Sequence, residues 1–412
     1  MDASFVGRPR SNREAVRKFQ RRALQRIVRH AATRVPYYRE LFRRTGLRPD
    51  DIQTPEDLRQ IPITTKGELQ SRPVQDFVTE GYDTARCVKL TTSGSTGRPT
   101  MVIRSQWEQL KLQAYRLRSQ ALSGLRVSDV RASLNTRSQG ARPLDRFGIY
   151  RMQTLNETDP ADLVRSLRRL RPDVILSRPT ILETTAREAS RLPGGNPPCR
   201  LLFAGAEIVT PAARKLFEEA WKCRVFVEYG TNEFVLVAAE CAECGLLHTC
   251  DDAVLTEVLR DGGPVAPGET GQVICTGLHS YVMPFIRFDL DDAATRPAAA
   301  AECSTAFDAM EVVEGRRMDF LAMPDGRALS PYLIQRAIQD VPGVRKFQVE
   351  QRELDALVVR IEQAVETDPA GAVHEALRRI VPAVMAVSVE TVDVMPTALG
   401  AKHRYIRSLV SR

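Results

Sequence analysis

A short polar loop between two runs of β-branched residues has the composition of a phosphate-binding loop. The segment VKLTTSGSTGRPTMVIR spans residues 88–104, and its centre, Thr91 to Gly97, consists wholly of Thr, Ser and Gly. Successive backbone N–H groups in such a loop can turn inward around an anion, and glycine permits positive φ angles and close approach. No Gly-Lys-Ser/Thr follows, so this is neither a Walker loop nor the dinucleotide fingerprint. On residue types alone, a plain surface turn is the alternative.

Two further groups of polar residues follow apolar runs that have the pattern of strands. Gly205-Ala206-Glu207 follows RLLFA, and Glu228-Tyr229-Gly230-Thr231-Asn232-Glu233 follows CRVFV. In parallel sheets, ligands bind beyond the carboxyl ends of the strands, so both groups are candidates for a ligand site. Each residue also has a simpler interpretation, such as a surface carboxylate for Glu233 or a core aromatic for Tyr229.

Three of the eight cysteines lie close to a histidine. Cys241, Cys244 and Cys250 surround His248, whereas the other cysteines are scattered. Without a secretory signal a disulfide framework is not expected, so the cluster indicates a metal site. A set of reduced surface thiols is the alternative.

The segment from about residue 160 to 230 alternates helical and strand patterns. DPADLVRSLRRL, TILETTAREASRL and TPAARKLFEEAW are helical, and DVILS, RLLFAG and CRVFVEYG are short apolar strands that follow them. This alternation predicts an α/β fold with a parallel-rich sheet covered by helices.

The N-terminal 80 residues are predicted to be mostly helical. Apolar residues recur at helical spacing between Val16 and Ala31, opposite a strongly basic face. Thr54-Pro55-Glu56-Asp57 and Thr65 with Glu68 have the pattern of capping boxes, which predicts that helices start there.

The segment after Gly315 has the pattern of a separate small α+β unit. It contains helical stretches from Pro331 to Asp340 and from Ala370 to Ile380, with strands around them. We therefore expect a large domain over residues 1–315 and a small α+β domain over residues 316–412.

The bulk composition excludes several classes of protein. The 412 residues are 43% hydrophobic and 27% charged, as in ordinary globular proteins. No run of eighteen apolar residues and no signal peptide is present, so we expect a cytoplasmic protein that does not bind membranes. The net charge of +8 is concentrated on the N-terminal helix. We interpret the basic side of that helix as a solvent-exposed face, because no nucleic-acid-binding motif accompanies it.

Taken in order, the motifs resemble those of the adenylate-forming superfamily, which includes acyl-CoA synthetases and aryl-CoA ligases. LTTSGSTGRPT resembles the phosphate loop, YGTNE the Y-G-x-x-E element, and PFIRFDLDD the P-L-I-R-Y-x-x-G-D segment. Gly315-Arg316 matches the G-R pair that opens the C-terminal domain, and LGAKHRYIRS resembles the terminal G-K-x-R segment. VPYYRELFRRTGLRPDDIQTPEDLRQIPITTKGEL is similar to the N-terminus of phenylacetate–CoA ligases and their capsule-biosynthesis relatives. The resemblance runs from about residue 25 to 405.

The resemblance implies a role for each motif. Tyr229 would stack on adenine, Asp292 would hold the ribose hydroxyls, and Lys402 would be the adenylation lysine. Thr231 would reach the α-phosphate, and Glu233 would hold Mg²⁺. The implied ATP- or AMP-binding residues are Thr92, Ser93, Gly94, Ser95, Thr96, Gly97, Gly205, Ala206, Glu207, Glu228, Tyr229, Gly230, Thr231, Asp292 and Arg316, and the implied catalytic residues are Lys402, Thr231 and Glu233.

The cysteine cluster also fits the resemblance. CAECGLLHTC resembles the C-x-x-x-G-L-H segment of the phenylacetate–CoA ligase branch, and Cys303 falls where that branch has C-P-C-G-R. Cys241, Cys244, His248 and Cys303 would then form a structural zinc site, with Cys250 as the alternative ligand. Reduced thiols without metal remain the other interpretation.

Three positions depart from the family pattern. Thr100 replaces a lysine that often ends the phosphate loop, Asp291 replaces the glycine of the G-D pair, and Met318 takes the position of an acidic hinge residue. Because these enzymes rotate the small domain between half-reactions, the hinge change bears more on the second half-reaction than on the first.

We therefore expect an ATP- and Mg²⁺-dependent ligase that adenylates a carboxylic acid, releases pyrophosphate and then most simply forms a coenzyme A thioester. An aryl or aryl-acetic acid is the expected substrate by analogy. Transfer to an amine or a carrier protein is one alternative, and a catalytically inactive nucleotide-binding scaffold is another. We expect no nucleic acid among the partners, and the question of a homodimer stays open.

Overall fold

The computed structural model describes residues 3–91, 100–134, 151–339, 341–363, 368–393, 395 and 405–410. The α-helices of these residues are α1 (Ala3–Gly7), α2 (Arg13–Arg34), α3 (Pro36–Thr45), α4 (Lys66–Ser71), α5 (Gln106–Leu122), α6 (Pro160–Leu170), α7 (Pro179–Arg191), α8 (Pro211–Trp221), α9 (Pro331–Gln339) and α10 (Ala370–Arg378).

The strands up to the middle of the chain are β1 (Val88–Thr91), β2 (Met101–Arg104), β3 (Arg131–Leu134), β4 (Met152–Leu155), β5 (Val174–Ser177), β6 (Leu201–Gly205), β7 (Arg224–Tyr229), β8 (Ala238–Glu240), β9 (Leu247–Thr249) and β10 (Val254–Arg260). The later strands are β11 (Gly263–Pro264), β12 (Thr270–Gly277), β13 (Phe288–Thr295), β14 (Ala309–Met310), β15 (Val312–Arg316), β16 (Leu321–Ala322), β17 (Ala328–Leu329), β18 (Val344–Glu353), β19 (Ala356–Gln363), β20 (Ala386–Val392) and β21 (Ile406–Ser408).

The chain forms two compact units, each built from two separate segments. Unit 1 comprises Met1–Gly124 and Glu228–Val312, and unit 2 comprises Leu125–Val227 and Val313–Arg412. Strand β7 begins in unit 2 and ends in unit 1, so the sequence that follows its last residues belongs to unit 1.

Unit 1 combines the N-terminal helices with antiparallel strands. Strands β10, β12 and β13 pair antiparallel in that order, and the end of β7 pairs antiparallel with β8. Helix α2 starts where the Asn12 side chain accepts a 2.8 Å hydrogen bond from Ala15 N, and it buries Leu24, Ile27 and Val28 completely. This buried stripe confirms the predicted amphipathic helix.

Unit 2 contains the predicted alternation of helices and strands. Its sheet has the order β4-β3-β5-β6-β7, and the pairs β3–β4, β3–β5 and β5–β6 are parallel. Helices α6, α7 and α8 each start at a proline, which suits the first helical turn because its N–H needs no partner. Phe217 and Trp221 of α8 are fully buried against this sheet, so the predicted α/β fold is confirmed.

The C-terminal part of unit 2 has a hydrophobic core of its own. Strands β20, β19, β18 and β21 lie side by side in that order, and α9 and α10 pack against them. Ile334, Ile338 and Phe347 lie in this second core, which is distinct from the core around α6 to α8. The predicted helices near residues 331 and 370 are confirmed.

The predicted capping boxes are present, although one of them opens a different kind of helix. Thr54 N donates to Asp57 Oδ2 over 2.8 Å, but the helix that follows, Pro55–Gln60, is a 3₁₀ helix. Pro62 explains the short length, because the residue before a proline is disfavoured in the α conformation. Among the described helices, none combines the length and the hydropathy that crossing a bilayer requires.

Candidate active site

The side chains of Tyr229 and Asp292 meet in unit 1. Tyr229 is the last residue of β7 and Asp292 lies in β13, and the Tyr229 hydroxyl donates a 2.6 Å hydrogen bond to Asp292 Oδ2. Burial, followed by the nearby Asp292 charge, raises the pKa of Tyr229 well above its ordinary value. The phenol therefore stays protonated at neutral pH and acts as the donor to this carboxylate.

A tight turn follows Tyr229 and presents Thr231 and Glu233. A Cβ atom at residue 230 would lie 2.2 Å from the carbonyl oxygen of Val235, so only glycine fits there. Thr231 O accepts a 2.8 Å hydrogen bond from Val235 N, and Thr231 Oγ1 accepts one of 3.3 Å from Phe234 N. These hydrogen bonds stabilise the turn that follows β7. The sequence predicts a ligand-binding element in this turn.

Glu233 lies close to a buried arginine that the motifs did not single out. Arg104, the last residue of β2, is 1% exposed, and its guanidinium donates to the Asn232 carbonyl and, over 3.0 Å, to Gln109 Oε1. Burial lowers the pKa of Arg104 to about 10, while the charge of Glu233 acts in the opposite direction. Glu233 is itself 3% exposed, so a carboxylate and a cation lie together beside the turn.

Strands β1 and β2 flank the predicted phosphate loop. Strands β1 and β2 pair antiparallel, with Thr91 opposite Met101, so the loop joins two adjacent strands as the sequence predicts. Thr100 is buried, and its hydroxyl accepts a 3.2 Å hydrogen bond from Gln70 Nε2. The loop residues Thr92, Ser93, Gly94, Ser95, Thr96 and Gly97 lie outside the described residues, as does Lys402.

The Glu228 carboxylate is hydrogen-bonded to side chains of helix α5. Its carboxylate accepts hydrogen bonds from Arg116 Nε at 3.0 Å and Nη2 at 2.6 Å, and from Gln120 Nε2 at 2.9 Å. Both carboxylate oxygens have partners, and the residue is 6% exposed. In this arrangement Glu228 anchors the end of β7 to α5.

The residue before Asp292 explains one departure from the family pattern. Asp291 has a φ of +60°, which is a left-handed conformation that glycine adopts easily and aspartate tolerates better than most residues. Lys66 of α4 stabilises this turn, because its Nζ lies 2.5 Å from Leu290 O and 3.3 Å from Asp291 Oδ2. The backbone thus adopts the glycine-like shape without glycine.

Glu207 caps helix α7 within unit 2. Its Oε2 accepts a 3.0 Å hydrogen bond from Thr180 N and another from the Thr180 hydroxyl. Its Oε1 is buried without a hydrogen bond, and Arg178 Nη1 lies 3.7 Å away. Ala206, just before it, has a φ of +67°, so the chain turns sharply directly after β6. This oxygen is a polar atom without a hydrogen-bond partner at the carboxyl end of a strand.

The Gly315-Arg316 pair lies at the end of β15. Gly315 has a φ of +106°, and a Cβ there would lie 3.2 Å from Ile208 Cδ1, so the position requires glycine. Arg316 ends the strand, and Met318, at 38% exposure, follows in a short 3₁₀ turn over Arg317–Asp319.

The predicted metal ligands come together in unit 1. The donor atoms of Cys241, Cys244, His248 and Cys303 all lie within 4.8 Å of one another. His248 Nδ1 donates to the Phe307 carbonyl over 3.0 Å, which leaves the lone pair of Nε2 facing Cys303 Sγ at 3.1 Å. Burial lowers the pKa of His248, so the ring is held neutral in the tautomer that a metal requires.

Cys250 lies apart from this group. Its thiol is buried and lies 3.7 Å from the hydroxyl of Ser119. Among the residues that the structure describes, it is absent from the set of converging ligand atoms.

The sequence is similar to those of known ligases over most of its length. No model of a known protein family matches the chain. A phenylacetate–coenzyme A ligase of Escherichia coli is 27% identical over 85% of this chain and 83% of its own length. A phenylacetate–coenzyme A ligase of Thermus thermophilus is also 27% identical, over 81% of this chain and 77% of its own length.

Among solved structures, a 2-hydroxyisobutyryl-CoA ligase in the postadenylation state superimposes with a TM-score of 0.83 at 19% identity, over 98% of this chain and 92% of that chain. The chain has the fold of the adenylate-forming CoA ligases. The resemblance to phenylacetate–CoA ligases that the motifs indicate is confirmed over most of the chain.

Within this ligase fold, two residues near the predicted site were missed by the sequence reasoning. Arg104 ends the apolar run MVIR, and a charged residue at the buried end of a strand next to a glycine-rich loop is a detectable signal. Lys66 follows Thr65 inside a capping box, and nothing in the local sequence indicates its contact with the backbone of β13.

Proposed function

We propose that the chain is an ATP-dependent ligase that joins a carboxylic acid to AMP with release of pyrophosphate, and then transfers the acyl group to coenzyme A. The observation that carries this proposal is the convergence in unit 1 of Tyr229, Asp292 and the Gly230–Glu233 turn. Asp292 lies 63 positions after Tyr229 in the sequence, and the fold brings the two side chains into hydrogen-bond contact. The relatives that match most of this chain are phenylacetate–coenzyme A ligases, which supports the same reaction.

The residues would divide the work of the first half-reaction. Tyr229 would stack on adenine. Asp292, which the Tyr229 hydroxyl orients, would accept hydrogen bonds from the ribose hydroxyls. Gly205, Ala206 and Glu207 would contact adenine, while Arg316 would contact the nucleotide from the segment after Gly315. The backbone N–H groups of residues 92–97 would hold the phosphates.

The chemistry at the α-phosphorus requires positioning and charge stabilisation. The substrate carboxylate is already ionised, so no general base is needed, and negative charge builds up on the phosphate oxygens in the transition state. Thr231 would donate to the α-phosphate and Lys402 would supply a cation. Glu233 would hold Mg²⁺, which would supply positive charge against the charge of the phosphates. The buried Arg104 beside Glu233 adds a fixed positive charge.

Two solved structures support ATP and coenzyme A as substrates and Mg²⁺ as the cofactor. An O-succinylbenzoate coenzyme A synthetase in complex with ATP and magnesium ion has a TM-score of 0.53 to this chain. A 2-hydroxyisobutyryl-CoA ligase in complex with 2-HIB-AMP and CoA in the thioesterification state has a TM-score of 0.67. We infer an aryl or aryl-acetic acid as the substrate from the phenylacetate–CoA ligase relatives, and a cytoplasmic location from the use of ATP and coenzyme A.

Transfer to an amine or a carrier protein is a second candidate for the last step. The observation that favours it is Met318, an apolar and exposed residue where the family carries an acidic hinge. The products are identified with coenzyme A, hydroxylamine and candidate amines as acceptors. Rapid formation of the coenzyme A thioester would rule this candidate out. A catalytically inactive scaffold is less favoured, because Glu233 and Asp292 are both retained.

We further propose that residues 316–412 act as a small domain next to a large domain of residues 1–315. The separate hydrophobic core, which includes Leu321, Phe347 and Ile406, supports this division. The division is tested by expressing residues 316–412 alone and measuring whether they unfold cooperatively.

We propose a structural zinc ion at the cysteine cluster. Tetrahedral Zn–S bonds of about 2.3 Å place sulfur ligands about 4 Å apart, which fits the ligand atoms of Cys241, Cys244, His248 and Cys303. The ion would tie the turn at Cys241–Cys244 to the segment around Cys303. Metal analysis of protein without a polyhistidine tag should find one zinc per chain, and less than a tenth of an equivalent would refute the site. Cys303→Ser should lose the metal, whereas Cys250→Ser should keep it.

The adenylation reaction is tested by ATP–pyrophosphate exchange with a panel of aryl, aryl-acetic, amino and short aliphatic acids. Exchange with any acid would establish the first half-reaction and name the substrate class. Silence across the panel while ATP still binds would favour the inactive scaffold.

A further inference from the structure

A cleft of about 800 Å³ opens at the amino-terminal ends of β5, β6 and β7 in unit 2. Its walls are formed by residues 171–173 before β5, residues 198–200 before β6 and residues 222–224 at the start of β7. Gly205–Glu207 follow the opposite end of β6, so this cleft is separate from the candidate active site. Its volume lies in the range of small-molecule sites.

The cleft carries an excess of positive charge. The charged residues that line it are Arg171, Arg200, Lys222, Arg224, Asp173 and Glu218. The Asp173 carboxylate accepts a 2.8 Å hydrogen bond from Val130 N, so one of its oxygens is occupied by a backbone donor. Arg200 forms an ion pair with the buried Asp129 carboxylate, so the four cations stand against three carboxylates, and this small positive excess favours an anionic ligand.

Two of these basic residues have a left-handed backbone conformation, which glycine adopts most often. Arg171 ends α6 with a φ of +47°, and Lys222 ends α8 with a φ of +53°. A left-handed residue that is not glycine is uncommon at a helix end and costs conformational energy. Both strained positions place a basic residue on the wall of the same cleft, beyond the ends of two different helices.

Two cysteines that are 24 positions apart also line this cleft. Cys199 N donates a 3.1 Å hydrogen bond to Trp221 O, which brings the residue before Arg200 next to the end of α8. Cys199 is buried and Cys223 is half-buried. The Cys223 thiol, within hydrogen-bond reach, contributes most to raising the pKa of Cys199, and burial contributes next.

The positions of the two cysteines in the fold are compatible with a bond between their sulfurs. Cys199 lies two residues before β6 and Cys223 directly before β7, which is the neighbouring strand. Neighbouring strands are about 4.8 Å apart, and disulfide-bonded residues have Cα atoms about 4.4–6.8 Å apart.

We propose that Cys199 and Cys223 form a thiol–disulfide exchange site for a small disulfide that carries carboxylates. The more exposed Cys223, as thiolate, attacks one sulfur of the disulfide RSSR. The S–S bond of RSSR breaks, and the leaving RS⁻ takes up the proton that Cys223 lost. Cys199 then attacks the Cys223 sulfur and releases a second RSH, which carries away the Cys199 proton. In total two protein thiols and RSSR give one protein disulfide and two RSH, with two electrons passing from the protein to RSSR.

The disulfide would enclose helix α8 between its two ends. The closed segment contains residues 199–223, and a cross-link of this kind reduces the conformational freedom of the unfolded chain. The oxidised protein should therefore unfold at a higher temperature than the reduced protein, and the addition of a reducing thiol should reverse the change.

The test uses the full chain, with zinc present, and two disulfides of opposite charge. Oxidised glutathione, which is anionic, and cystamine, which is cationic, are each added at low salt, and chymotryptic peptides are mapped by mass spectrometry. The Cys199–Cys223 bond should form about 10-fold faster with glutathione than with cystamine. Equal rates, or a faster reaction with cystamine, would overturn the anionic specificity. Reaction at Cys87 without any Cys199–Cys223 bond would overturn the site itself.

Variants separate the attacking cysteine from the resolving one. Cys199→Ser and Cys199→Ala should both accumulate one glutathionyl group on Cys223, whereas Cys223→Ser should leave Cys199 unmodified. The reverse pattern would contradict the assigned order of attack. The double variant Arg171→Glu/Lys222→Glu should abolish the preference for glutathione, while Lys215→Glu, exposed on the same helix α8, should retain it. A retained preference in the double variant would contradict the role of the basic wall.

Discussion

The phenol of Tyr229 donates a hydrogen bond of 2.6 Å to Asp292 Oδ2, and this bond joins the end of β7 to strand β13. The two residues belong to different sequence motifs, 63 positions apart. One carboxylate oxygen of Asp292 is thereby oriented by a protein group. The orientation of the carboxylate that we propose for ribose binding is thus built into the folded chain before any nucleotide binds.

We expect Tyr229→Phe to weaken the use of ATP. The substitution keeps the ring but removes the donor to Asp292, and a hydrogen bond to a charged group contributes about 1.5–3 kcal/mol. The value of kcat/KM for ATP in pyrophosphate exchange should fall by about 10-fold or more. Tyr82→Phe, at an exposed tyrosine, should have no effect and serves as the control. An unchanged kcat/KM in Tyr229→Phe would show that the hydrogen bond does not position the carboxylate.

Two buried carboxylates of the same segment should behave in opposite ways. Glu233→Gln removes the proposed Mg²⁺ ligand, so pyrophosphate exchange should fall by about 100-fold. Its Tm should fall less than that of Glu228→Ala, because Arg104 keeps its hydrogen bonds to the Asn232 carbonyl and to Gln109. Glu228→Ala leaves Arg116 and Gln120 without their acceptor, so the free energy of unfolding should drop by about 3 kcal/mol. Thermal unfolding and exchange rates measured on both variants decide the matter. If Glu233→Gln lost stability and kept exchange, the proposed roles would be reversed.

The left-handed backbone at Asp291 predicts a graded response to substitution. Asp291→Asn and Asp291→Gly should be nearly neutral, because both residues adopt positive φ readily. Asp291→Val should lower the free energy of unfolding by about 1–2 kcal/mol, since a β-branched residue is strained there. Denaturant unfolding of the three variants measures the effect. Equal stability of the valine and glycine variants would contradict the conformation.

A buried histidine should make unit 1 sensitive to acid. Burial is the main cause that lowers the pKa of His279 to about 4, and its ring nitrogen Nε2 lies 2.7 Å from the Tyr115 hydroxyl. The unfolded chain binds the proton near pH 6.5, so the stabilising contribution is present above that pH and is lost as the pH falls towards 4. The expected loss is about 3 kcal/mol.

The pH dependence is tested with a variant that cannot titrate. His279→Gln should flatten the fall in unfolding free energy between pH 6.5 and 4, whereas His374→Gln, at a half-buried residue of α10, should leave the wild-type slope. A wild-type slope in His279→Gln would assign the acid sensitivity to other groups.

The assigned lysine can be tested by separating the half-reactions. Lys402→Ala should reduce adenylate formation by about 100-fold or more, because a cation that stabilises the transition state is removed. Transfer from a supplied acyl-adenylate to coenzyme A should remain largely intact. Lys346→Ala, in β18 of the C-terminal core, is the matched control. Equal loss of both half-reactions in Lys402→Ala would mean that the lysine has another role.

The alternating helices and strands between residues 160 and 230 were predictable because apolar runs and capping prolines are local signals. The convergence of Cys241, Cys244 and His248 was predictable for the same reason, since they are close in sequence. The placement of Cys199 and Cys223 on the wall of one cleft was not predictable, because both were interpreted as isolated thiols and only the neighbouring positions of β6 and β7 bring them together. Lys66 was missed because its partner is a backbone carbonyl in β13, which carries no sequence signal.

The interleaved composition of unit 1 has a consequence for synthesis on the ribosome. Its first segment ends at Gly124, and its second begins only at Glu228. At about 5–20 residues per second, roughly 5–20 s pass between the emergence of these two segments. During that interval α2, α3 and α5 lack their contacts with residues 228–312, such as those of Gln20 with Asp251, Tyr38 with Pro284 and Tyr115 with His279. The nascent chain therefore offers a long-lived binding target for chaperones, although the finished fold gives no indication of slow assembly.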